Sequence, residues 1–306
     1  MNDYKFELAE RYYQQGNYNA SIDIFKELLA EDPNDALCHG LLAANLIGLS
    51  RIHAAEYEIK TALNLDPSHA FLHIIAAQIC MMKNQLKLAL ESCDQALMLD
   101  VENVRALLVK SSIYTLLEKN DDAFNCIEQA AQIAPDSCDV ITSFGDYYLE
   151  TGGTKKAFSY ASQALNVNAQ DVDANLLMAN VQLSLGNIDE AEYHTKFVIL
   201  QNPDNRVALQ LFANIKMRKN KLFGLWWKLN SKLATLSNLK ATIILISAYL
   251  FFNLAAQVAK DIGYPTTATV ISYSWLIFVI YTWVGIPYYQ RKLASELKKF
   301  SFNPNY

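Results

Sequence analysis

Small residues recur every 34 positions along the first two-thirds of this chain, at Ala9, Ala43, Ala77, Ser111, Gly145, Ala179 and Ala213. A second register keeps the same step at Ser21, Ala55, Ala89, Ala123, Ala157 and Ala191, and a looser third runs through Leu28, Ala62, Ala96, Ala130, Ala164 and Val198. Self-similarity at a fixed period of this length describes a stacked array whose units bury their apolar faces only against their neighbours. Small side chains belong where two helices approach too closely for larger ones.

The rest of each unit agrees. In the first, apolar residues recur at helical spacing up to Gln15, Gly16-Asn17 interrupts the pattern, and periodicity resumes at Tyr18 until Asp32-Pro33 stops it. The unit reads helix, turn, helix, turn. Pro33, Pro67, Pro135 and Pro203 share one slot, where a ring lacking an N–H ends one helix and opens the next. These features resemble the tetratricopeptide repeat, a 34-residue helix pair with small residues at these slots and a proline near its end. Six units match, at 2–35, 36–69, 70–103, 104–137, 138–171 and 172–205, and Val207 to Met217 continue into a partial seventh. Val101 and Ala169 replace the proline, and Asn84 and Glu118 replace the turn glycine, which leaves room for looser turns there.

Charge divides the chain. Residues 1–205 hold 13 Lys and Arg against 29 Asp and Glu; residues 206–306 hold 13 against 2. An acidic array is a poor partner for nucleic acid, because phosphate would meet like charge. The basic part carries two uncharged stretches. Nineteen residues, 241–259, separate Lys240 from Lys260, and 29 separate Asp261 from Arg291, with an apolar core at 267–287. Each is long enough to cross a bilayer once, at roughly 20 residues per span. The short, turn-forming link Lys260 to Thr266 joins them as a helical hairpin. The expected fold is therefore all-α: a tetratricopeptide-repeat solenoid followed by a transmembrane hairpin and a basic tail, 288–306. Lysines and arginines crowd the outer flanks of both spans, which places both termini in the cytoplasm, at the inner membrane if the source is bacterial. Residues 1–20 are polar and show no signal peptide. Asn253 and Gln257 share a face of the first span and are assigned to hairpin packing or to homo-oligomerisation through it.

Residues 206–240 form a degenerate seventh repeat and juxtamembrane segment. Leu222, Leu225, Trp226, Leu229, Leu233 and Leu236 advance by threes and fours, with Lys228 and Lys232 off the stripe. Two readings stand side by side. In one, this segment caps the solenoid; in the other it lies at the membrane interface, with Trp226, Trp227, Lys228 and Lys232 among the headgroups.

No catalytic constellation appears: the sequence has no Gly-rich phosphate loop, no Gly-x-Ser-x-Gly elbow and no His-Glu-x-x-His. The chain is read as a non-enzyme without cofactor. His69 and His73 are four apart and His39 shares the slot of His73, but a third metal ligand is not evident, so packing is the favoured role. Cys38, Cys80, Cys93, Cys126 and Cys138 fall at unrelated slots and read as small buried hydrophobes. Asp121-Asp122 and Asp189-Glu190 read as helix-start acids.

Resemblance to the family implies peptide binding in a groove lined by the first helix of each unit. Its corresponding slots are Leu37, Gly40, Ala44, Phe71, Ile74, Gln78, Met81, Arg105, Leu108 and Ser112, continuing through Thr142, Asp146, Leu176 and Asn180. The lysine, arginine and asparagine clamp that some members use on a terminal carboxylate is missing: the first repeat offers Phe6, Glu10 and Tyr13, the third Phe71, Ile74 and Gln78. An apolar or amphipathic protein segment is the expected ligand. The function so implied is that of a membrane-anchored adaptor or scaffold. The alternative is an accessory subunit of a membrane enzyme, transporter or secretion complex in which the hairpin is the functional part.

Overall fold

The computed structural model describes residues 2–203, 205–219 and 238–280. It divides into two compact units, Met1–Ala208 and Leu209–Tyr306. The first unit is built of helix pairs. They are α1 (Asn2–Gln14) with α2 (Tyr18–Glu31), α3 (Ala36–Gly48) with α4 (Ile52–Leu65), and α5 (Ala70–Met82) with α6 (Leu86–Leu99). There follow α7 (Val104–Leu116) with α8 (Asn120–Ile133), α9 (Cys138–Glu150) with α10 (Thr154–Val167), and α11 (Val172–Leu185) with α12 (Ile188–Gln201). Helix α13 (Arg206–Lys219) begins at the next repeat position.

The small-residue registers are where these helices cross. The residues of the first two registers in the six repeats are all buried, and Ala213 beyond them is partly buried. At two crossings a hydroxyl replaces a methyl and bonds the facing backbone: Ser21 Oγ donates to the Ala9 carbonyl (2.8 Å) and Ser111 Oγ to the Ala123 carbonyl (2.9 Å). Gly145 lies so close to Leu177 that a Cβ would press on the Leu177 methyl. The core is a succession of local clusters. One joins α1 to α5 around Phe25, Leu42 and Ile75, another α5 to α7 around Ile74 and Ile113, and others continue through Val140 to Leu177. Each repeat thus leans on its neighbours.

The six intra-repeat turns are one structure. Residue 16, 50, 84, 118, 152 or 186 takes a left-handed backbone, with φ of 72° at Gly16, 56° at Ser50, 58° at Asn84, 59° at Glu118, 85° at Gly152 and 86° at Gly186. The following N–H reaches back to the same carbonyl each time, as in Asn17 to Tyr12 (2.8 Å), Lys119 to Tyr114 (2.9 Å) and Asn187 to Gln182 (2.8 Å). This is a helix end closed by a left-handed residue. The turns at Asn84 and Glu118 are therefore no looser than the glycine turns, and Ser50, which the sequence reading passed over, belongs with them. Packing on both sides fixes the turn, and the non-glycine residues carry the backbone strain.

The inter-repeat turns repeat as well, with or without proline. Asp32, Asp66 and Asn168 each accept a backbone N–H two residues on (3.1, 2.9 and 3.0 Å). Asp35, Asn103, Asp171 and Asn205, one slot 34 residues apart, cap the next helix (2.9, 3.0, 2.8 and 2.9 Å). His39, His73 and Asn175 also share a slot, and each bonds the carbonyl six residues before it: Pro33 (3.1 Å), Pro67 (2.8 Å) and Ala169 (3.0 Å). These histidines secure turns. Glu56 meets Lys83 of the next repeat (2.8 Å) and Lys60 one turn along its own helix (3.0 Å), which together hold its carboxyl down at about 2.

In the second unit, α14 (Asn238–Asp261) and α15 (Pro265–Ile280) pack on each other across a tight turn in which Gly263 has φ 90°. Tyr264 N–H bonds the Ala259 carbonyl (2.9 Å) and Gly263 N–H the Lys260 carbonyl (3.1 Å). Among the described side chains of these two helices Ala256 and Ala268 are buried, whereas Asn253 and Gln257 are exposed. Their assignment to hairpin packing is thereby corrected: the alanines allow close approach and the amides point away. Among the described residues no helix is long and apolar enough to cross a membrane. The expected span 267–287 is described only to Ile280, and Trp226, Trp227, Lys228, Lys232 and the tail 288–306 lie outside the described residues.

Candidate functional site

Six repeats curl far enough that the first meets the last. The turn at Gly16 abuts the side chain of Asn202, which follows α12, so closely that a Cβ on residue 16 would collide with its amide. Tyr18 is near enough to Asp173 that, after burial and Tyr13, its charge helps raise the phenol's pKa. The curl forms an open concave cavity of about 920 Å³.

Its walls come mainly from the first helix of each pair. Tyr13 stands at the end of α1, Gln78 and Met81 on α5, Arg105, Leu108 and Ser112 on α7, Thr142 and Asp146 on α9, and Asp173, Leu176 and Asn180 on α11. Of the expected groove residues, the structure thus places Gln78, Met81, Arg105, Leu108, Ser112, Thr142, Asp146, Leu176 and Asn180 on this wall. Gly40, Ala44 and Ile74 are instead buried between helices. Gly40 has no room for a Cβ beside Leu72, and Ile74 belongs to the core around Ala77 and Ile113. Leu37 and Phe71 pack against the first core cluster, with the Arg105 guanidinium 5.9 Å above the Phe71 ring. The slots slipped because neighbouring positions of one helix differ by about 100° in direction, enough to turn a groove position into a core one.

The lumen is chemically two-sided. Repeats 3 and 4 contribute Met81, Leu108 and the cation Arg105; repeats 5 and 6 contribute Asp139, Asp146, Asp171 and Asp173. Asp171 is engaged in capping α11. Asp146 keeps contact with solvent, yet the enclosing walls, helped by Asp173 and Glu150, push its carboxyl up to about 7. Burial, then Asp171 and Asp139, raises Asp173 in the same direction. Asp139 and Asp173 share one slot 34 residues apart, a signal that the sequence offered, whereas Asp146 and Asp171 lie at other slots.

Among the described residues no three His, Cys, Asp or Glu side chains converge to hold a metal ion. The cysteines are free thiols; burial drives Cys38 and Cys93 up to about 12, the wrong direction for reactivity. Asp121, Asp122, Asp189 and Glu190 sit in the first turns of α8 and α12, where carboxylates suit the helix dipole.

Comparison with known proteins agrees with this architecture. The family model of the tetratricopeptide repeat matches residues 104–137. Anaphase-promoting complex subunit 3 of Schizosaccharomyces pombe is 24% identical over 198 residues, 62% of this chain and 30% of that protein. Cellulose synthase operon protein C of Pseudomonas fluorescens is 31% identical over 137 residues, 42% of this chain and 10% of that one. The matches thus span less than a third of either relative. A solved tetratricopeptide-repeat protein of Thermus thermophilus superposes with a TM-score of 0.55 at 21% identity, over 60% of this chain and all of that one. At that identity the likeness is one of fold. Period, paired helices and recurring turns are those of a tetratricopeptide-repeat array, and the family model matches its fourth unit.

Proposed function

We propose that the chain is a scaffold that holds a peptide or helix of a partner protein in the lumen of its array and is tethered to a membrane by residues 241–259 and 267–287. The concave cavity, with Met81 and Leu108 on one wall, is the observation that carries the first half. A concave face of this size with apolar and polar groups interspersed suits an amphipathic segment. The second half is supported by the surface of α14 and α15. Phe251, Leu254, Val258 and Val270 are exposed there, an apolar area that water does not favour and lipid would cover. The basic flanks of both stretches point the same way.

Two experiments separate the halves. Partners crosslinked and recovered from intact membranes should be lost by a Leu108→Glu, Gln78→Glu variant and kept when residues 238–306 are exchanged for an unrelated two-span anchor. Retention of every partner by the lumen variant removes the lumen as recognition site, and loss on anchor exchange transfers the role to the hairpin. Alkaline extraction of membranes should leave the intact chain in the pellet; its release would sink the tether.

A further inference from the structure

A second cavity, of about 390 Å³, opens off the lumen. The two share Met81, Ser112, Ser143 and Asp146 as wall residues. Beyond them the side pocket is lined by Thr115, Leu116, Tyr147 and Glu150, with Ser111 and Ile127 behind. Apart from the Tyr147 phenol, which can also donate, its polar groups have one character. Ser111, Ser112, Thr115 and Ser143 each give their hydroxyl proton to a helix carbonyl, those of Ala123 (2.9 Å), Leu108 (3.1 Å), Ser111 (3.1 Å) and Asp139 (2.8 Å). With the protons so committed, these side chains present acceptors, as do the two carboxylates. Among the described residues, no ion pair reaches Asp146 or Glu150.

An acceptor-rich pocket with Met81 and Leu116 as apolar walls fits a group that is donor-only at its tip and hydrocarbon along its stem. Lysine and arginine side chains are built that way.

We propose that this side pocket receives a lysine or arginine side chain of the segment bound in the lumen, its charge against Asp146 and Glu150 and its methylenes against Met81 and Leu116. The inference rests on the lumen being the binding surface. The free carboxylates, raised by enclosure, would then regain a counter-charge on binding.

The test uses the full chain in mild detergent and three fluorescent 12-residue amphipathic peptides of leucine and alanine that differ at one set of positions: lysine, norleucine or glutamate. Anisotropy titration should find the lysine peptide bound at least tenfold tighter than the norleucine one. Asp146→Asn with Glu150→Gln should abolish that preference. Asp121→Asn with Asp122→Asn, the same loss of charge on α8 outside the pocket and the lumen wall, should leave it intact. Equal weakening by both double variants would reduce the effect to net charge and overturn the proposal, as would an unaltered preference in the first. If the norleucine peptide binds as well as the lysine one and Leu108→Glu weakens both, the side pocket fails and the lumen stands. If no peptide binds, or Leu108→Glu affects none, the lumen reading falls with it.

Discussion

Gly152 offers a clean measure of what holds the repeats in register. Its φ of 85° lies in the left-handed region, and a Cβ built there would meet nothing within 4 Å. Alanine at this position therefore brings backbone strain without a packing clash. Left-handed backbone costs an L-residue about 1–2 kcal/mol. Stiffening the unfolded chain returns about 0.4–1 kcal/mol of it, leaving a loss of about 1 kcal/mol. A change of that size is roughly a fivefold shift in an opening equilibrium. Hydrogen–deuterium exchange of α9 and α10 in the intact chain should accordingly quicken about fivefold. The mirror change is Glu118→Gly, at φ 59° in the equivalent turn; it should slow exchange in α7 and α8 by a similar factor. Asn84→Gly should do less, since asparagine tolerates this conformation. Unchanged exchange in Gly152→Ala, or faster exchange in Glu118→Gly, would refute the view that six equivalent turns impose one geometry on unequal residues.

Other changes probe the crossings and the lumen. Ser111→Ala removes a buried hydrogen bond to the Ala123 carbonyl and should cost about 1 kcal/mol, read as a lower urea midpoint. Ile113 is fully buried, so Ile113→Ala should cost about 2–5 kcal/mol and open α7 and its neighbours to exchange first. Asp146 stands at about 7 in the folded chain, above its ordinary value of 3.8. The folded state therefore holds this proton longer than the unfolded one. Its contribution is full below pH 3.8 and lost as pH rises through 7. Asp146→Asn should thus be more stable than the native chain above pH 7, the advantage shrinking toward pH 4; equal stability profiles would discount the enclosure of that carboxyl.

Much of the array was legible because each of its devices is local. A small residue at a crossing, a left-handed turn, or an Asp or Asn cap acts within one repeat or between adjacent ones, so each leaves a mark at a fixed step. The slots of the inner face were harder. Ile74 and Gln78 lie on the same helix, yet one enters the core and the other the lumen. Which does so depends on how far each pair is rotated against the next. Ser50 escaped notice because serine rarely takes the left-handed backbone this turn needs; packing on both flanks obliges it to do so.

The sequence alone determined that this chain builds paired helices in a stack and joins an acidic array to a basic, apolar segment, because period, composition and charge are additive along the chain. Only the tertiary structure decided that Gly16 comes against Asn202, that Arg105 and Asp146 line one cavity, and that Thr142 is buried beside it. The physical reason is accumulation. Curvature in a repeat array is the sum of small rotations between neighbours, and no single slot encodes the total. Residues more than a hundred positions apart become neighbours only once every rotation has been added.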